Sequence, residues 1–346
     1  MLTYRLERGA GAAALQRLDT GAPAPAGREV RVRIRAASLN YRDLMIARGD
    51  YLGGAGGHVT PGSDGAGDVV AVGPQATRFR VGDRVVASFY PDWIDGEPTP
   101  AKHASALGGG GAGVFAQEIV LHEDALAAIP DALDYAAAAT LPCAGVTAWH
   151  ALFVAAASEP GDTVLLQGTG GVSIFGLQLA KAAGLNAIVT SSDDAKLARA
   201  RALGADATIN YRTTPAWDEE VLRLTGGRGA DLVFEIGGRD TLQRSIAATR
   251  MRGTIAVIGG VSGFGGALEP FALITGLQRL VGVRVGSRAM LEALARFVAS
   301  HRIAPVIDRR FAFDELAAAY AHLEAAHHFG KIVVDVGEAQ SAAIAA

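Results

Sequence analysis

The stretch TVLLQGTGGVSIFGLQLAKAAG, residues 163–184, joins an apolar strand to a helix through a glycine-rich turn. The first glycine of such a turn permits a tight bend, and Gly170 lets backbone N–H groups approach a phosphate. The N-terminus of the helix adds partial positive charge. The segment therefore predicts a strand–turn–helix unit that binds the pyrophosphate of a dinucleotide, with Gly168, Thr169, Gly170 and Gly171 in the turn. Ser173 replaces the third glycine of the pattern and is small enough to permit close packing of the helix on the strand.

Strands and helices alternate after this turn. Apolar runs at 187–192, 230–236, 254–260 and 280–285 are separated by helical stretches, which is the pattern of consecutive βαβ units. Such units form a doubly wound parallel sheet with right-handed crossovers. We therefore expect a dinucleotide-binding domain over residues 128–287.

The N-terminal part has a different pattern. Short runs rich in Val and Ile, among them EVRVRIRAASL (29–39) and DRVVASF (83–89), are separated by Gly, Pro and Asp turn signals. The final run, KIVVDV (331–336), is expected to rejoin this sheet. The fold class is thus α/β, with a β-rich, discontinuous domain of residues 1–127 and 288–346. The aperiodic segment 91–113 is either a functional lid or a disordered excursion, and its apolar residues favour a loop that packs.

The composition excludes several classes of protein. The chain has 346 residues, 50% of them hydrophobic, and 32 basic residues are balanced by 35 acidic ones, so neither nucleic acid nor an anionic membrane surface is an expected partner. The one cysteine, Cys143, leaves no disulfide or cysteine cluster and fits a cytoplasmic location. No secretory signal pattern opens the chain. The uncharged stretch 135–158 is interpreted as buried helices, because it holds proline, glycine and much alanine.

The end of the second βαβ strand predicts which nucleotide is bound. An acidic residue at this place would bind the ribose 2′-hydroxyl, whereas the chain has Ser191 and Ser192, followed by Lys196. Two hydroxyls and a cation suit a 2′-phosphate and favour NADPH over NADH. Asp193 and Asp194 either oppose this phosphate or cap the next helix, and both readings stay open.

The order of segments resembles the medium-chain dehydrogenase/reductase superfamily, specifically its zinc-independent, quinone-oxidoreductase-like branch. The resemblance covers nearly the whole chain and implies a GroES-like catalytic domain, a Rossmann domain and a cleft where nicotinamide meets substrate. It is carried by SLNYRDL (38–44), PGSDGAG (61–67), VGDRVVA (81–87), LPCAGVTAWHAL (141–152), GTGGVS (168–173), ALGADATINYR (202–212) and HFGKIVV (328–334).

Zinc-dependent members hold their catalytic metal with a Cys, a His-Glu pair and a second Cys. Matching the segments puts Asn40, Ser63-Asp64 and Cys143 at those places. A thiol and a carboxylate alone make a poor catalytic zinc site, so no metal is expected. His322, His327 and His328 have no acidic or thiol partner at ligand spacing and are interpreted as helix-end cations or surface residues.

Without zinc, hydride transfer depends on hydrogen-bond donors at the substrate oxygen. Asn40 and Tyr41 resemble the Asn-Tyr pair beside the nicotinamide in this branch, with Asp43 as a residue that orients their turn. The alternative is that Tyr41 only packs, with its hydroxyl bonded to backbone. Cys143 is interpreted as a small buried hydrophobe.

The resemblance also implies cofactor contacts along the Rossmann domain. Thr147 and Val172 match residues of the nicotinamide pocket, and Gly237 and Gly238 match residues near a ribose. Tyr211 matches a residue that stacks near the adenosine end. The backbone positions that hold the carboxamide match Ile258, Val283 and Val285.

We therefore expect a zinc-independent, NADPH-dependent oxidoreductase that transfers hydride to a quinone or an α,β-unsaturated carbonyl, with a small-molecule substrate and a cytoplasmic homodimer as the working form. The alternative among enzymes is an enoyl-thioester reductase or an alcohol dehydrogenase-type activity. A non-catalytic NADPH-binding protein is the alternative of another class. No basic patch suited to a coenzyme A phosphate is evident in the sequence, which argues against the thioester.

Overall fold

The computed structural model describes residues 1–51 and 56–337. Two compact units make up this chain. One holds residues 1–143, 287–299 and the chain from 307 onward, and the other holds residues 144–286 and 300–306. The domain boundaries expected after residues 127 and 287 stay predictions, because compactness alone does not establish an independently folding domain.

The first unit begins with strands and short helices. They are β1 (Leu2–Glu7), β2 (Gln16–Asp19), β3 (Glu29–Leu39), α1 (Tyr41–Arg48), β4 (His58–Val59), β5 (Asp64–Val72), β6 (Arg84–Ala87), α2 (Pro100–Ala104), β7 (Glu118–His122), β8 (Leu126–Ala128) and α3 (Tyr135–Ala139). In β3, Val30, Val32 and Ile34 are buried while the arginines between them lie outward, as the period-two pattern predicts. The first half of β3 therefore contributes alternate residues to the core.

The second unit holds the consecutive βα repeats. Its elements are α4 (Val146–Trp149), β9 (Thr163–Gln167), α5 (Gly171–Ala182), β10 (Asn186–Ser191), α6 (Asp194–Ala202), β11 (Ala207–Asn210), α7 (Trp217–Leu224), β12 (Ala230–Glu235), α8 (Leu242–Ala248), β13 (Thr249–Val257), α9 (Pro270–Gly276) and β14 (Arg279–Gly282). The six strands are parallel in the order β11-β10-β9-β12-β13-β14. This is the strand order of the dinucleotide-binding doubly wound fold, so the predicted fold class is confirmed.

The chain then returns to the first unit through α10 (Arg288–Ser300), β15 (Ile307–Ala312), α11 (Leu316–Glu324) and β16 (Lys331–Asp335). The larger sheet of this unit has the order β15-β16-β3-β5-β6-β8, with β7 also paired to β3, and a smaller sheet has the order β2-β1-β4. Because β16 lies antiparallel to β3, with Ile332 opposite Leu39, the predicted return of KIVVDV to the N-terminal sheet is confirmed. This pairing brings Lys331 to the end of β3, next to the turn that opens α1.

Residues 91–113 pack on the first unit near both ends of the segment, while residues 95–101 are exposed. Trp93 and Leu107 are buried, the Trp93 indole N–H donates to the carbonyl of Gly96 at 2.8 Å, and α2 lies within the segment. Its packing is therefore confirmed, whereas a role as a lid stays a prediction. In the described part of the chain, no helix has both the length and the apolar character needed to cross a bilayer.

Candidate functional site

The glycine turn of the second unit connects β9 to α5. Gly168 has φ +74°, a left-handed conformation that favours glycine, and its N–H donates to the carbonyl of Thr190 at 2.9 Å. Gly170 is the N-cap of α5 and has an ordinary extended backbone. A Cβ added to either glycine would meet no atom of the described residues within 4 Å. The turn therefore leaves space at a helix N-terminus, which fits a bound pyrophosphate.

Close packing of α5 on the sheet depends on a glycine outside the turn. A Cβ on Gly176 would lie 2.8 Å from side-chain atoms of both Leu166 and Phe234. Ser173, at the place of the third glycine, is buried and its hydroxyl donates to the carbonyl of Gln167 at 2.6 Å. Ser173 thus closes the turn, while Gly176 permits the helix to approach the strands.

The carboxyl ends of β10 and β11 bring together the residues expected to select the nucleotide. Asn210 pairs with Ser191 across the two strands, and the Tyr211 N–H donates to the Ser191 carbonyl at 3.1 Å. Ser192 follows β10 directly, and Lys196 lies in the first turn of α6. The residues expected to select the nucleotide therefore lie together at the carboxyl ends of β10 and β11. They are Ser191, Ser192, Lys196 and Tyr211.

The two acidic residues beside these strand ends have their own partners. The Asp193 carboxylate accepts the N–H groups of Ala195 at 2.8 Å and Lys196 at 3.1 Å, which makes it the N-cap of α6. Asp194 accepts from the Asn210 side chain at 2.8 Å. The capping interpretation is confirmed for Asp193.

The residues matched to the nicotinamide end also lie in the second unit. Thr147 is buried in α4, Val172 lies in the first turn of α5, and Ile258 and Val283 follow the last strands. Val285 has φ +55°, which is strained for a β-branched residue. Its carbonyl accepts from His150 Nδ1 at 2.7 Å, so that ring nitrogen carries the proton. Strain of this kind is typical of backbone held in place for a ligand.

A buried carboxylate fixes the loop that follows β12. Glu235 accepts from Gln167 Nε2 at 2.9 Å, from the Gly238 N–H at 2.7 Å, and from the hydroxyls of Thr241 and Ser245. Gln167 Oε1 in turn accepts the N–H of Gly237 at 3.1 Å. The two glycines expected near a ribose are therefore held by side chains at the carboxyl ends of β9 and β12.

In the first unit, Asn40 and Tyr41 lie at the start of α1. The Asp43 carboxylate accepts the Asn40 N–H at 2.8 Å, so Asp43 orients this turn as expected. Tyr41 is 42% exposed, which does not fit the alternative of a packed side chain. The Asn40 side chain, by contrast, is buried. The pair thus presents one phenol outward and one amide inward.

The buried amide belongs to a ring of hydrogen bonds that we call the Lys331 ring, made of Lys331, Asn40, Ser63 and Asp64. Lys331 Nζ donates to Asn40 Oδ1 at 2.5 Å, Asn40 Nδ2 lies 3.4 Å from Ser63 Oγ, and Ser63 Oγ donates to Asp64 Oδ1 at 2.6 Å. Lys331 Nζ lies 4.0 Å from Asp64 Oδ2, which closes the ring. Asp64 Oδ2 also accepts the N–H of Cys143 at 3.1 Å.

Burial dominates the electrostatics around this ring. It raises the pKa of Asp64, against the opposing effects of the Lys331 charge and the hydrogen bonds from Ser63 and Asn40. Burial and the Asp64 carboxylate also raise the pKa of the Cys143 thiol well above its usual range. Cys143 is therefore a thiol rather than a thiolate at neutral pH. The residue is half-buried, so the interpretation as a fully buried hydrophobe is only partly met.

These residues do not fit a zinc ion. Asn40, Ser63, Asp64 and Cys143 offer only one carboxylate and one thiol, and the Lys331 ammonium already lies beside the carboxylate. Within residues 1–51 and 56–337, no group of three or more His, Cys, Asp and Glu side chains is placed to hold a metal. The expectation that His322 lacks an acidic partner is wrong, since its Nε2 lies 3.0 Å from Asp308, brought there by the fold.

A second buried cation lies beside this turn. The Arg42 guanidinium lies over the rings of Tyr51 and Phe89, at 5.0 and 4.8 Å, and donates to the carbonyl of Leu107 at 2.8 Å. Burial raises the pKa of the neighbouring Asp43 to about 6, although Arg42 opposes the shift. Arg42 thus ties the segment 91–113 to the turn that carries Asn40 and Tyr41.

Sequence reasoning assigned no role to Lys331, Gln167, Glu235 or His150. One signal was available for Lys331, because it is the one lysine at the start of the apolar run KIVV, which otherwise has the pattern of a buried strand. Gln167 and Glu235 are 68 positions apart in the chain, so no local pattern indicates their contact.

Two family models match the chain: the alcohol dehydrogenase GroES-like domain over residues 26–131, and the zinc-binding dehydrogenase domain over residues 171–300. A zinc-type alcohol dehydrogenase-like protein of Schizosaccharomyces pombe is 43% identical over 89% of this chain and 91% of its own. A quinone oxidoreductase of Pseudomonas aeruginosa is 32% identical over 90% of this chain and 92% of its own.

Solved structures agree with this assignment. A crystal structure of an NAD-dependent alcohol dehydrogenase is 34% identical, with a TM-score of 0.87, and covers 97% of this chain and 100% of that one. A mycobacterial protein solved with NADPH is 26% identical, with a TM-score of 0.81, and covers 97% of this chain and 99% of that one. The chain belongs to the medium-chain dehydrogenase/reductase superfamily.

Proposed function

We propose that this oxidoreductase uses NADPH to reduce a quinone or an α,β-unsaturated carbonyl, and that it does so without zinc. The observation that carries the proposal is the Lys331 ring. At the places where zinc-dependent relatives hold their metal, this chain has an amide, a hydroxyl and a carboxylate joined to an ammonium group. A bound cation would have to displace the ammonium and would meet too few ligands.

The edge formed by β10 and β11 supports NADPH as the cofactor. Ser191, Ser192 and Lys196 offer hydroxyl donors and a cation, and the nearby Asp193 is engaged as a helix cap. The NADPH-bound mycobacterial structure supports the same choice. The similar NAD-dependent alcohol dehydrogenase makes NADH the competing cofactor, and the ratio of the two dissociation constants decides between them.

When bound, the nicotinamide supplies the hydride, which forms a C–H bond at the electrophilic carbon of the substrate. The protein then has to stabilise the negative charge that develops on the carbonyl oxygen and to provide one proton. Tyr41 can donate its phenolic proton, and its exposed ring lets solvent return that proton. Asn40 lies one residue away, with its amide oriented by the Lys331 ring.

An alcohol dehydrogenase-type activity is the second candidate. It is favoured by the names of the similar proteins, several of which are called alcohol dehydrogenases. The absent metal ligands count against it, because alcohol oxidation at zinc needs a Lewis acid to stabilise the alkoxide. Aldehydes with NADPH and alcohols with NADP⁺ therefore belong in the assays.

We also propose that the working form is a homodimer and that the protein is located in the cytoplasm. The strand β14 lies at an edge of the six-stranded sheet, and exposed apolar side chains precede it at Phe264, Phe271, Ile274 and Leu277. An unpaired edge beside apolar surface is suited to pairing with the same edge of a second copy. Analytical ultracentrifugation measures the mass directly, and a monomer at micromolar concentration would contradict the proposal.

The test of the proposed function is NADPH oxidation with a panel of quinones, enones, enoyl thioesters and aldehydes, with and without a chelator. We expect turnover of quinones or enones that the chelator does not change. Turnover confined to aldehydes with NADPH, and to alcohols with NADP⁺ in the reverse direction, that is lost on chelation would replace the proposal by a zinc-dependent alcohol dehydrogenase. Tight NADPH binding without turnover of any substrate would favour the non-catalytic alternative.

A further inference from the structure

The ammonium group of Lys331 is unusual because it is buried. Only 3% of the residue is exposed, and it opens the strand β16, which lies between β15 and β3. Lysine is almost never fully buried without partners, since desolvating a charge costs free energy that only close polar contacts offset. A buried lysine beside the candidate catalytic turn therefore needs a structural or functional explanation.

Its contacts are directed at the residues just before α1. Lys331 Nζ donates to the carbonyl of Leu39 at 2.6 Å and to Asn40 Oδ1 at 2.5 Å. It also lies 4.0 Å from Asp64 Oδ2. An ammonium group has three donors and no acceptor. The Asn40 amide must therefore turn its oxygen toward Lys331 and its NH₂ toward Ser63.

The other end of the ring fixes the same orientation independently. Asp64 lies against the Ser63 hydroxyl and the Cys143 N–H, so the Ser63 proton points to the carboxylate and its lone pair is left for Asn40 Nδ2. A pure donor at one end and an acceptor at the other set the direction of each hydrogen bond between them. Both ends specify one rotamer and one flip state for the Asn40 amide.

We propose that Lys331 is a positioning residue that acts through Asn40: its ammonium group fixes the Leu39–Asn40 segment and the amide orientation, and thereby the Asn40–Tyr41 pair at the start of α1. This inference rests on the proposed function, because it gives that pair a role in hydride transfer. In this account the ammonium also supplies the positive charge beside Asp64 at the place that a metal has in zinc-dependent relatives.

The test is a double-mutant cycle of Lys331→Met and Asn40→Ala, with Lys181→Met as the matched control. Lys181 lies in the second unit, where its ammonium pairs with Asp206 and with the carbonyl of Leu185, away from the residues assigned to catalysis. We expect Lys331→Met to lower kcat by about 10- to 100-fold, as for a displacement of roughly 1 Å in the groups that face the substrate, with the Kd for NADPH unchanged. The double variant should be no slower than the slower single variant, because Lys331 acts through Asn40.

If the falls in kcat of the two single variants multiply in the double variant, the inference is overturned and Lys331 has only a general structural role. If Lys331→Met fails to fold because Asp64 is left unpaired, Lys331→Met combined with Asp64→Asn removes both charges and should show the same fall in kcat. If that combined variant retained full kcat, the inference would also be overturned.

Crystal structures of the parent and of Lys331→Met keep this test separate from the proposed function. We expect the Asn40 amide to leave its present rotamer in the variant, while Ser63 stays on Asp64. An unchanged Asn40 rotamer would contradict the positioning role whatever the substrate. A parent enzyme that reduces no quinone or enone, but whose Asn40 moves in Lys331→Met, would contradict the proposed function alone.

Discussion

Each unit of the molecule contains a fully buried carboxylate beside its candidate site, and the two are satisfied in different ways. Glu235 is surrounded by neutral donors: an amide, two hydroxyls and the N–H of Gly238. Asp64 is joined to a hydroxyl, a backbone N–H and, at 4.0 Å, an ammonium group. Both are 0% exposed, so burial alone does not distinguish them.

The difference corresponds to the tasks proposed for the two units. Neutral donors around Glu235 fix a loop whose glycines have only to hold a ligand in place. The charged partner of Asp64 lies next to Asn40 and Tyr41, which are proposed to face the negative charge that develops on the substrate oxygen. Charges and dipoles that are already in place before the reaction stabilise such a developing charge. The comparison predicts that changes around Tyr41 alter rates and that changes around the glycine turn alter cofactor affinity.

The largest expected effect is that of Tyr41→Phe, which removes one exposed hydroxyl. If that hydroxyl donates the proton, kcat for enones should fall by about 10²- to 10⁴-fold, as is typical of general acid catalysis. Quinones accept hydride with less need of an acid, so their loss should be smaller. Steady-state kinetics on both substrate classes measure this, with NADPH affinity and melting temperature as controls for folding. Equal turnover by parent and variant on every substrate would leave Tyr41 without a chemical role.

The next effect concerns the nucleotide edge. Lys196→Ala should weaken NADPH binding by about 10- to 100-fold through the loss of one charge-assisted hydrogen bond, while NADH binding changes little. Fluorescence titration of both nucleotides gives the two Kd values. A ratio that stays constant, or tighter NADH binding by the parent, would remove the phosphate site from this edge.

A pair of glycine variants separates cofactor space from packing within α5. Gly170→Ala adds a methyl group where no described atom lies within 4 Å, so stability should be retained and NADPH affinity should fall, by about tenfold if the methyl costs one hydrogen bond to phosphate. Gly176→Ala puts a methyl group 2.8 Å from Leu166 and Phe234 and should destabilise the fold by about 1–3 kcal/mol. Urea unfolding and NADPH titration of both variants check this. Equal loss of stability in the two variants would show that the turn is filled by protein.

The smallest effect is a pH dependence at Asp43. Burial raises its pKa from 3.8 to about 6 in the folded chain, so folding favours its protonated form. The stabilising contribution is fully present below about pH 4 and is lost as the pH rises through about 6, which amounts to about 1 kcal/mol between pH 5 and pH 7. Urea unfolding of the parent and Asp43→Asn over this range measures it. The parent should lose stability relative to the variant, and a constant difference would contradict the shift.

The sequence was sufficient for the features that depend on short-range pattern. The alternation in residues 29–39 predicts which side of β3 is buried, and the βα repeats predict the parallel sheet. Capping by Asp193 was one of two interpretations that the sequence left open, and the structure shows the capping hydrogen bonds. Each of these depends on residues close together in the chain.

The sequence was not sufficient for contacts made by the tertiary fold. Lys331 and Asn40 are 291 positions apart and meet only because β16 pairs with β3. The role of Gly176 depends on the side chains of Leu166 and Phe234 on two strands, and the partner of His322 comes from the strand β15. Such contacts leave no periodic signal, because each is a single side chain meeting a distant one.

The central claim is that this site reduces its substrate without a metal ion and has the Lys331 ring in place of one. The most direct test measures zinc by elemental analysis, and NADPH-dependent enone and quinone reduction, on one purified sample before and after dialysis against a chelator. We predict far less than one zinc per chain before dialysis and undiminished turnover after it. One zinc per chain before dialysis, lost together with the activity and restored with it on adding zinc, would contradict the account.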